Sequence, residues 1–157
     1  LLALTHHYGR RFAAQKRGGI ILMSSLLAFQ GVPRAAHYAA TKAYVQTLAE
    51  GLRLELAPYT VDVLACAPGP VHSGFAERAN MRMGVALKPE DIALATLSAL
   101  GRRTTVRPGW LSKLLEGSLA LLPRWGRVRI LAQVMGGMTQ HQPPVPLRQL
   151  TDGNQSS

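Results

Sequence analysis

The chain has 157 residues, 47% of them hydrophobic, which suits one globular domain with one core and excludes an intrinsically disordered protein. A single cysteine, Cys66, excludes a disulfide framework and favours a reduced, cytoplasmic setting. No stretch reaches the length of a membrane-spanning helix, and the N-terminus is apolar for only four residues, which argues against a signal peptide.

The net charge of +10, from 18 basic and 8 acidic residues, is concentrated toward the C-terminus. Residues 101–157 contain only two acidic residues, Glu116 and Asp152, against eight arginines and lysines. Such a segment attracts phosphate, anionic lipid or nucleic acid, or is simply a solvated basic face. Nucleic acid is disfavoured as a partner, because the arginines are not interleaved with a stacking platform and no nucleic-acid-binding motif occurs.

The first predicted elements are a helix and a strand. Apolar residues recur at helical spacing before Gly18-Gly19, which is predicted to end the helix. These residues are Leu1, Leu4, Tyr8 and Phe12. No N-capping residue precedes Leu1, so we interpret this helix as one whose beginning lies upstream. The short apolar run 20–23 then predicts a strand that is buried on both faces.

A long helix and a second strand follow. Ser24 and Ser25 end the first strand, and a loop over residues 26–35 leads into a helix predicted over 36–57. This helix has an apolar stripe that fits either packing on the sheet or a dimer contact. The stripe consists of Val45, Leu48, Leu52 and Leu56. The largely apolar run over residues 61–67 predicts the second strand.

A loop, a helix and a third strand are predicted next. Residues 71–88 are predicted to be a loop or a short helix. Pro89 begins a helix that ends near Gly101, and acidic residues occupy its first turn, where the helix dipole favours them. Residues 104–107 predict a third strand.

The C-terminal part is predicted to be helical and then disordered. Pro123 separates two short amphipathic helices over 110–122 and 126–138, which form either a lid over a substrate pocket or a peripheral membrane contact. Residues 139–157 are rich in Pro, Gln and Ser and are predicted to be a disordered tail.

This order of elements is typical of an α/β fold with a doubly wound parallel sheet. In such sheets ligands lie beyond the carboxyl ends of the strands. Ser25 and the turn Pro68-Gly69-Pro70 lie at two of those ends, and Tyr38 lies near the N-terminus of the intervening helix. Three separate segments are therefore predicted to meet at one edge of the sheet.

Tyr38 and Lys42 are four residues apart, so they share one face of the predicted helix. A phenol has an ordinary pKa of about 10, and a nearby cation favours the phenolate and lowers that value. A tyrosine with a lowered pKa can act as a general acid and base near neutral pH.

Because of these residues and their spacing, residues 1–109 resemble the second half of the Rossmann-like domain of the short-chain dehydrogenase/reductase family. Ser25 lies thirteen residues before Tyr38, as the family's serine lies before the tyrosine of its Tyr-x-x-x-Lys motif. The family's Pro-Gly-x-Val-x-Thr segment reads here Pro68-Gly69-Pro70-Val71-His72-Ser73, with Ser73 in place of the threonine.

The resemblance implies an oxidoreductase that interconverts an alcohol and a carbonyl by hydride transfer with NAD or NADP, NADP being slightly favoured. By this resemblance Tyr38 would be the general acid and base. Lys42 would lower the pKa of Tyr38 and hold the nicotinamide ribose. Ser25 would hydrogen-bond the substrate oxygen. Residues 68–71 (Pro68, Gly69, Pro70 and Val71) would line the nicotinamide pocket, and Ser73 would keep a hydroxyl near the carboxamide or pyrophosphate.

Two parts of the family pattern have no counterpart in the sequence. The Gly-rich turn that binds the pyrophosphate is missing, and no asparagine precedes Asn80, although the family has a catalytic one on the helix that corresponds to residues 1–17. We therefore interpret the chain as the C-terminal half of a reductase that is inactive by itself. The alternative is a non-catalytic nucleotide-binding or scaffold relative.

The resemblance also implies a homodimer through residues 1–17 and 36–57. We expect a hydrophobic alcohol or ketone, steroid-like or acyl-like, as the substrate. His37 is interpreted as a residue of the rim or substrate pocket rather than a proton relay, and His72 as exposed. A hydrolase is disfavoured because no Gly-x-Ser-x-Gly elbow occurs, and no ligand cluster suggests a metal site.

Overall fold

The computed structural model describes residues 1–72, 86–109 and 122–139. Helices and strands alternate along the chain as the sequence predicts. They are α1 (Leu2–Gln15), β1 (Gly18–Met23), α2 (Ala36–Leu56), β2 (Val61–Cys66), α3 (Pro89–Ala99), β3 (Thr105–Val106) and α4 (Arg124–Thr139). Short 3₁₀ turns at Leu26–Phe29 and Ala57–Tyr59 follow β1 and α2.

The three strands form a parallel sheet in the order β1-β2-β3. β1 and β2 pair along their whole length, from Gly18 opposite Val61 to Met23 opposite Cys66. Among the described residues, β3 pairs with the carboxyl end of β2. The carboxyl ends of all three strands therefore lie at one edge of the sheet, and the predicted α/β fold with a parallel sheet is confirmed.

The sheet is covered by helices on both faces, as expected for a doubly wound arrangement. On one face α2 packs on a cluster that includes Ile20, Leu22 and Val63, with Phe12 of α1 beside it. On the other face α3 contributes Ile92 to a second cluster. That cluster consists of Leu64, Cys66, Ile92, Ala99 and Val106. Burial raises the pKa of the Cys66 thiol, so this cysteine packs as a small apolar residue.

The apolar stripe of α2 faces the sheet. Val45 is buried in the first cluster, and the other three members of the stripe are partly buried against it. Those three are Leu48, Leu52 and Leu56. Packing on the sheet therefore accounts for most of the stripe, although Leu48 and Leu52 also line a shallow depression on the outer surface of α2.

The prediction that Gly18-Gly19 ends the first helix is wrong. Lys16 ends it, with a left-handed backbone at φ 51°, and both glycines belong to β1. A Cβ atom on Gly19 would lie 2.8 Å from a methyl carbon of Leu100, and one on Gly18 would overlap the side chain of Phe12. The glycines are needed because neighbouring side chains pack directly against the strand.

The prediction that the first strand is buried on both faces is also wrong at its end. Ile20 and Leu22 are buried, but Met23 is 47% exposed. Within the described residues β1 pairs only with β2, which leaves its other edge without a neighbouring strand. Burial on both faces is found instead in the central strand β2, where residues 63–66 are fully buried.

The helix α4 lies over the loop that precedes α2. Leu131 and Met135 are buried in a third cluster with Val32 and Ala39. This helix begins at Arg124, two residues before the predicted start. The helix predicted over 110–122, apart from its last residue, and most of the predicted tail lie outside the described residues. None of the described helices is long and apolar enough to cross a membrane.

Candidate active site

The candidate site lies at the carboxyl edge of the sheet, where two strand ends are joined by backbone hydrogen bonds. The amide of Ser24 donates to the carbonyl of Cys66 at 2.7 Å, and the amide of Leu26 donates to the carbonyl of Pro68 at 3.0 Å. The serine segment after β1 and the Pro-Gly turn after β2 are therefore held next to each other.

Ser25 is buried and has an extended backbone at the start of the 3₁₀ turn Leu26–Phe29. Its Oγ accepts a hydrogen bond from the amide of Leu27 at 3.2 Å. Because a serine hydroxyl also carries a donor hydrogen, this arrangement fixes the oxygen and leaves the hydrogen available for donation.

Ser24 has a different environment from its neighbour. Its Oγ donates to the backbone carbonyl of Lys42 at 3.1 Å, and the residue is buried. This bond attaches the carboxyl end of β1 to the second turn of α2. Ser24 therefore helps to position the helix that contains Tyr38 and Lys42.

Lys42 and Tyr38 lie together on α2, one helical turn apart. The Lys42 Nζ donates to the carbonyl of Met23 at 2.8 Å, and it lies 5.7 Å from the centroid of the Tyr38 ring. Burial lowers the pKa of the Lys42 ammonium, because desolvation disfavours its charged form. The ammonium is thus fixed between the end of β1 and a half-buried phenol.

The turn after β2 brings the segment before α3 to the same edge of the sheet. Val71 pairs with Leu87 in an isolated bridge, and the Leu87 amide donates to the carbonyl of Pro70 at 2.9 Å. Pro68, Gly69, Pro70 and Val71 are all half-buried. Ser73, predicted to hold a hydroxyl near the cofactor, lies outside the described residues.

The two histidines near the site are both exposed. His37 precedes Tyr38 at the start of α2, and His72 follows the turn. The described residues contain no group of three or more His, Cys, Asp or Glu side chains that could hold a metal ion. Two shallow depressions lie on the outer surfaces of α1 and α2, and neither includes Ser25, Tyr38 or Lys42.

Sequence reasoning missed a third contact at this edge of the sheet. Arg107 follows β3, and its guanidinium carbon lies 4.2 Å from the centroid of the Phe29 ring in the 3₁₀ turn after Ser25. The sequence did indicate that Arg107 lies at this edge, because it is the last residue of the third predicted strand. Its partner was not predictable, since Phe29 lies 78 residues earlier in the chain.

A parallel α/β sheet with Ser25, Tyr38 and Lys42 placed along its carboxyl edge defines a Rossmann-like protein, and comparison with known sequences specifies the family. Residues 1–83 match the model of the short chain dehydrogenase family. The chain is also 32% identical over 114 residues to the 7β-hydroxysteroid dehydrogenase of Clostridium sardiniense, an alignment that covers 70% of this chain and 44% of that protein. The chain therefore belongs to the short-chain dehydrogenase family.

Solved structures agree with this assignment. A 7β-hydroxysteroid dehydrogenase superimposes with a TM-score of 0.73 at 27% identity, covering 83% of this chain and 53% of that one. A short chain dehydrogenase from Burkholderia cenocepacia J2315 in complex with NADP gives a TM-score of 0.71 at the same identity and coverage. The chain spans about half the length of these relatives.

Proposed function

We propose that the complete protein is an NAD(P)-dependent oxidoreductase that interconverts an alcohol and a carbonyl, and that this chain supplies Ser25, Tyr38 and Lys42 to its active site. The observation that carries this proposal is the position of the Lys42 ammonium. The ammonium donates a hydrogen bond to the carbonyl of Met23 at the end of β1 and lies beside the Tyr38 ring. Ser25 lies at the same edge of the sheet.

The proposed mechanism assigns one task to each side chain. Tyr38 donates its phenolic proton to the substrate oxygen during carbonyl reduction and accepts a proton during alcohol oxidation. Lys42 stabilises the negative charge that develops on the phenolic oxygen when the proton leaves. Ser25 donates its hydroxyl hydrogen to the same substrate oxygen and orients it. A bound nicotinamide cofactor supplies or accepts the hydride.

The residues of this edge suit part of a nicotinamide cofactor. Lys42 has three N–H donors, of which one reaches Met23, so the others suit ribose hydroxyls. The half-buried turn over residues 68–71 would line the nicotinamide, and Ser73 would place a hydroxyl near the carboxamide or pyrophosphate. We favour NADP slightly over NAD, since the Burkholderia relative was solved in complex with NADP.

We propose a hydrophobic alcohol or ketone, steroid-like or acyl-like, as the substrate. The relative from Clostridium sardiniense is named as a 7β-hydroxysteroid dehydrogenase. In addition, α4 buries Leu131 and Met135 against Ala39, the residue after Tyr38. An apolar helix next to the site suits an apolar substrate, and we assign α4 as part of a lid over the substrate pocket.

The complete protein is also proposed to form a homodimer through α1 and α2. Leu2, Leu4 and Tyr8 are exposed on α1, and Tyr44 is exposed on α2. Exposed large apolar residues on two helices are typical of a surface that another subunit covers. Sedimentation of the complete protein as a dimer is the expected result.

The test of the proposed function is turnover by the complete protein. Consumption of NADPH is measured with a panel of hydrophobic ketones that includes steroid ketones, and NADH is compared at equal concentration. Turnover of at least one ketone supports the oxidoreductase. Cofactor binding without any turnover would instead support the alternative, a non-catalytic nucleotide-binding or scaffold protein.

A further inference from the structure

The backbone of the segment that follows β3 is fixed at the carboxyl edge of the sheet. The carbonyl of Val106 accepts a hydrogen bond from the amide of Ala67 at 2.9 Å, and Pro108 is buried. A residue that precedes a proline has a restricted backbone. Arg107 lies between Val106 and Pro108, so its side chain extends from a backbone with little conformational freedom.

This segment contacts two neighbouring parts of the candidate site. The guanidinium carbon of Arg107 lies 4.2 Å from the centroid of the Phe29 ring. Gly109 has a left-handed backbone at φ 91°, and a Cβ atom on it would lie 2.6 Å from a methyl carbon of Leu87. The amide of Leu87 donates to the carbonyl of Pro70. The segment after β3 therefore connects the turn that follows Ser25 with the turn that follows β2.

Phe29 is the last residue of the 3₁₀ turn that begins after Ser25. The turn has only four residues, and its hydrogen bonds have poorer geometry than those of an α-helix, so it depends on contacts at its ends. Its beginning is fixed, because the amide of Leu26 donates to the carbonyl of Pro68 at 3.0 Å. The contact between Phe29 and Arg107 fixes its end.

The same turn fixes the hydroxyl of Ser25. The amide of Leu27 donates to the Ser25 Oγ at 3.2 Å, and the amide of Ala28 donates to the Ser25 carbonyl at 3.0 Å. Both donors lie inside the turn, immediately before Phe29. A displacement of Phe29 would therefore move the amides that determine where the Ser25 oxygen lies.

We propose that Arg107 is a positioning residue, which keeps the Ser25 hydroxyl in its place through the contact with Phe29. The inference rests on the proposed function, in which Ser25 donates to the substrate oxygen. A guanidinium is attracted to the face of an aromatic ring, most strongly where both groups are shielded from water, and Arg107 and Phe29 are both half-buried. Without the contact, the displaced hydroxyl stabilises the transition state less.

The first experiment is a double-mutant cycle on ketone reduction by the complete protein. Arg107→Met removes the guanidinium and is expected to lower kcat about fivefold, with KM and cofactor affinity within about twofold. In the Ser25→Ala background the same substitution is expected to lower the residual kcat by less than about twofold, because the hydroxyl that Arg107 positions is gone. Equal effects in the two backgrounds would overturn the proposal.

Variants of Phe29 test whether Arg107 acts through this ring. Phe29→Leu is expected to lower kcat as Arg107→Met does, and the double variant is expected to be no worse than either, since one contact is lost in all three. Phe29→Tyr retains the ring and is expected to keep kcat within about twofold. A loss of kcat in Arg107→Met without one in Phe29→Leu would contradict the proposed route.

The matched control is Arg102→Met, which makes the same change at an exposed arginine before the amino end of β3. It is expected to leave kcat within about twofold, as exposed substitutions usually do. A fall in kcat equal to that of Arg107→Met would show a general effect of lost positive charge and would overturn the proposal.

The second experiment measures the turn itself and does not depend on catalysis. Hydrogen exchange of the Leu27 amide, followed by NMR of the complete protein, is expected to become about fivefold faster in Arg107→Met. The amide of Ala65 donates to the carbonyl of Thr104 at 2.9 Å, so its exchange reports on the pairing of β2 with β3 and is expected to stay unchanged. Unchanged exchange of Leu27, or equal acceleration of both amides, would overturn the proposal.

The two experiments separate this inference from the proposed function. If the complete protein reduces ketones but Arg107→Met and Ser25→Ala act independently, the positioning role of Arg107 fails and the oxidoreductase remains. If the complete protein reduces no ketone, the proposed function fails, and hydrogen exchange decides by itself whether Arg107 holds the turn that contains the Leu27 amide.

Discussion

At the scale of single residues, Lys42 links two elements of the candidate site. Its backbone carbonyl accepts a hydrogen bond from Ser24, and its ammonium donates to the carbonyl of Met23. Both contacts are to the end of β1, so the position of Lys42 relative to this strand is determined at two points. The Tyr38 ring beside the ammonium is consequently fixed relative to the segment that contains Ser25.

Replacing Tyr38 with phenylalanine removes the proton donor and retains the ring. In the complete protein we expect Tyr38→Phe to lower turnover by about 10²–10⁴-fold, because that is the usual contribution of a general acid or base. Cofactor affinity, measured by calorimetry, is expected to change little. The matched control is Tyr44→Phe, which removes an exposed phenol six residues later on the same helix. Activity of Tyr38→Phe within about tenfold of the unmodified protein would contradict the assignment.

The second prediction at this scale concerns the titration of Lys42. Burial lowers its pKa, so Lys42 is expected to lose its proton at lower pH than a free lysine does. NMR of the protein with isotopically labelled lysine side chains measures this, and Lys42→Arg assigns the signal. A Lys42 signal that titrates like that of free lysine would contradict the prediction.

The lowered pKa has a consequence for activity. Because the ammonium is proposed to stabilise the phenolate of Tyr38, reduction should decline at alkaline pH as Lys42 becomes neutral. Lys42→Met removes the cation at every pH, so its residual alcohol oxidation, which needs the Tyr38 phenolate as base, is expected to require higher pH than that of the unmodified protein. An unchanged pH profile in Lys42→Met would show that Lys42 does not affect the Tyr38 phenol and serves only to hold the cofactor.

At the scale of elements, the junction between α1 and β1 depends on small residues. A side chain on Gly18 would overlap Phe12, which packs on the first core cluster. We expect Gly18→Ala to destabilise the complete protein by about 1–3 kcal/mol, the usual result of overpacking. Urea denaturation measures the change in the free energy of unfolding.

The control for this prediction is another glycine-to-alanine change in an open position. Gly137 lies in α4, and a Cβ atom there would have nothing within 4 Å. Gly137→Ala is expected to be neutral or to stabilise by about 0.5–1 kcal/mol, because alanine favours the helix interior. Equal effects of the two substitutions would show that the Phe12 contact does not determine the role of Gly18.

At the scale of the whole molecule, this chain contains one side of the proposed site. It spans 44% of the hydroxysteroid dehydrogenase it matches, and its sequence has no Gly-rich turn for a pyrophosphate. Helix N-termini with such turns bind phosphate groups through their free amides. We therefore propose that the pyrophosphate of the cofactor is bound by residues beyond those of this chain.

We accordingly expect the 157-residue chain alone not to bind a dinucleotide with ordinary affinity. Calorimetric titration with NAD and with NADP is the measurement, and the complete protein is the positive control. The isolated chain is also expected to show no turnover. Micromolar binding by the isolated chain would show that the described edge of the sheet is a sufficient cofactor site.

Several features of the protein were determined by the sequence alone. The alternation of apolar strands with amphipathic helices predicts the parallel sheet, because each of those patterns is local. The four-residue spacing of Tyr38 and Lys42 also places them on one helix face without any tertiary information. The position of Ser25 at a strand end brings it to the same edge through the geometry of parallel sheets alone.

Other features were decided only by the tertiary structure. The glycines Gly18 and Gly19 belong to β1 because they pair with β2, and Leu100, which packs against Gly19, is 81 residues away in the chain. The contact of Arg107 with Phe29 and the packing of α4 on Val32 also join segments that are far apart in the chain. Spacing along a sequence reports neighbours within one element, whereas these contacts depend on how separate elements approach one another in space.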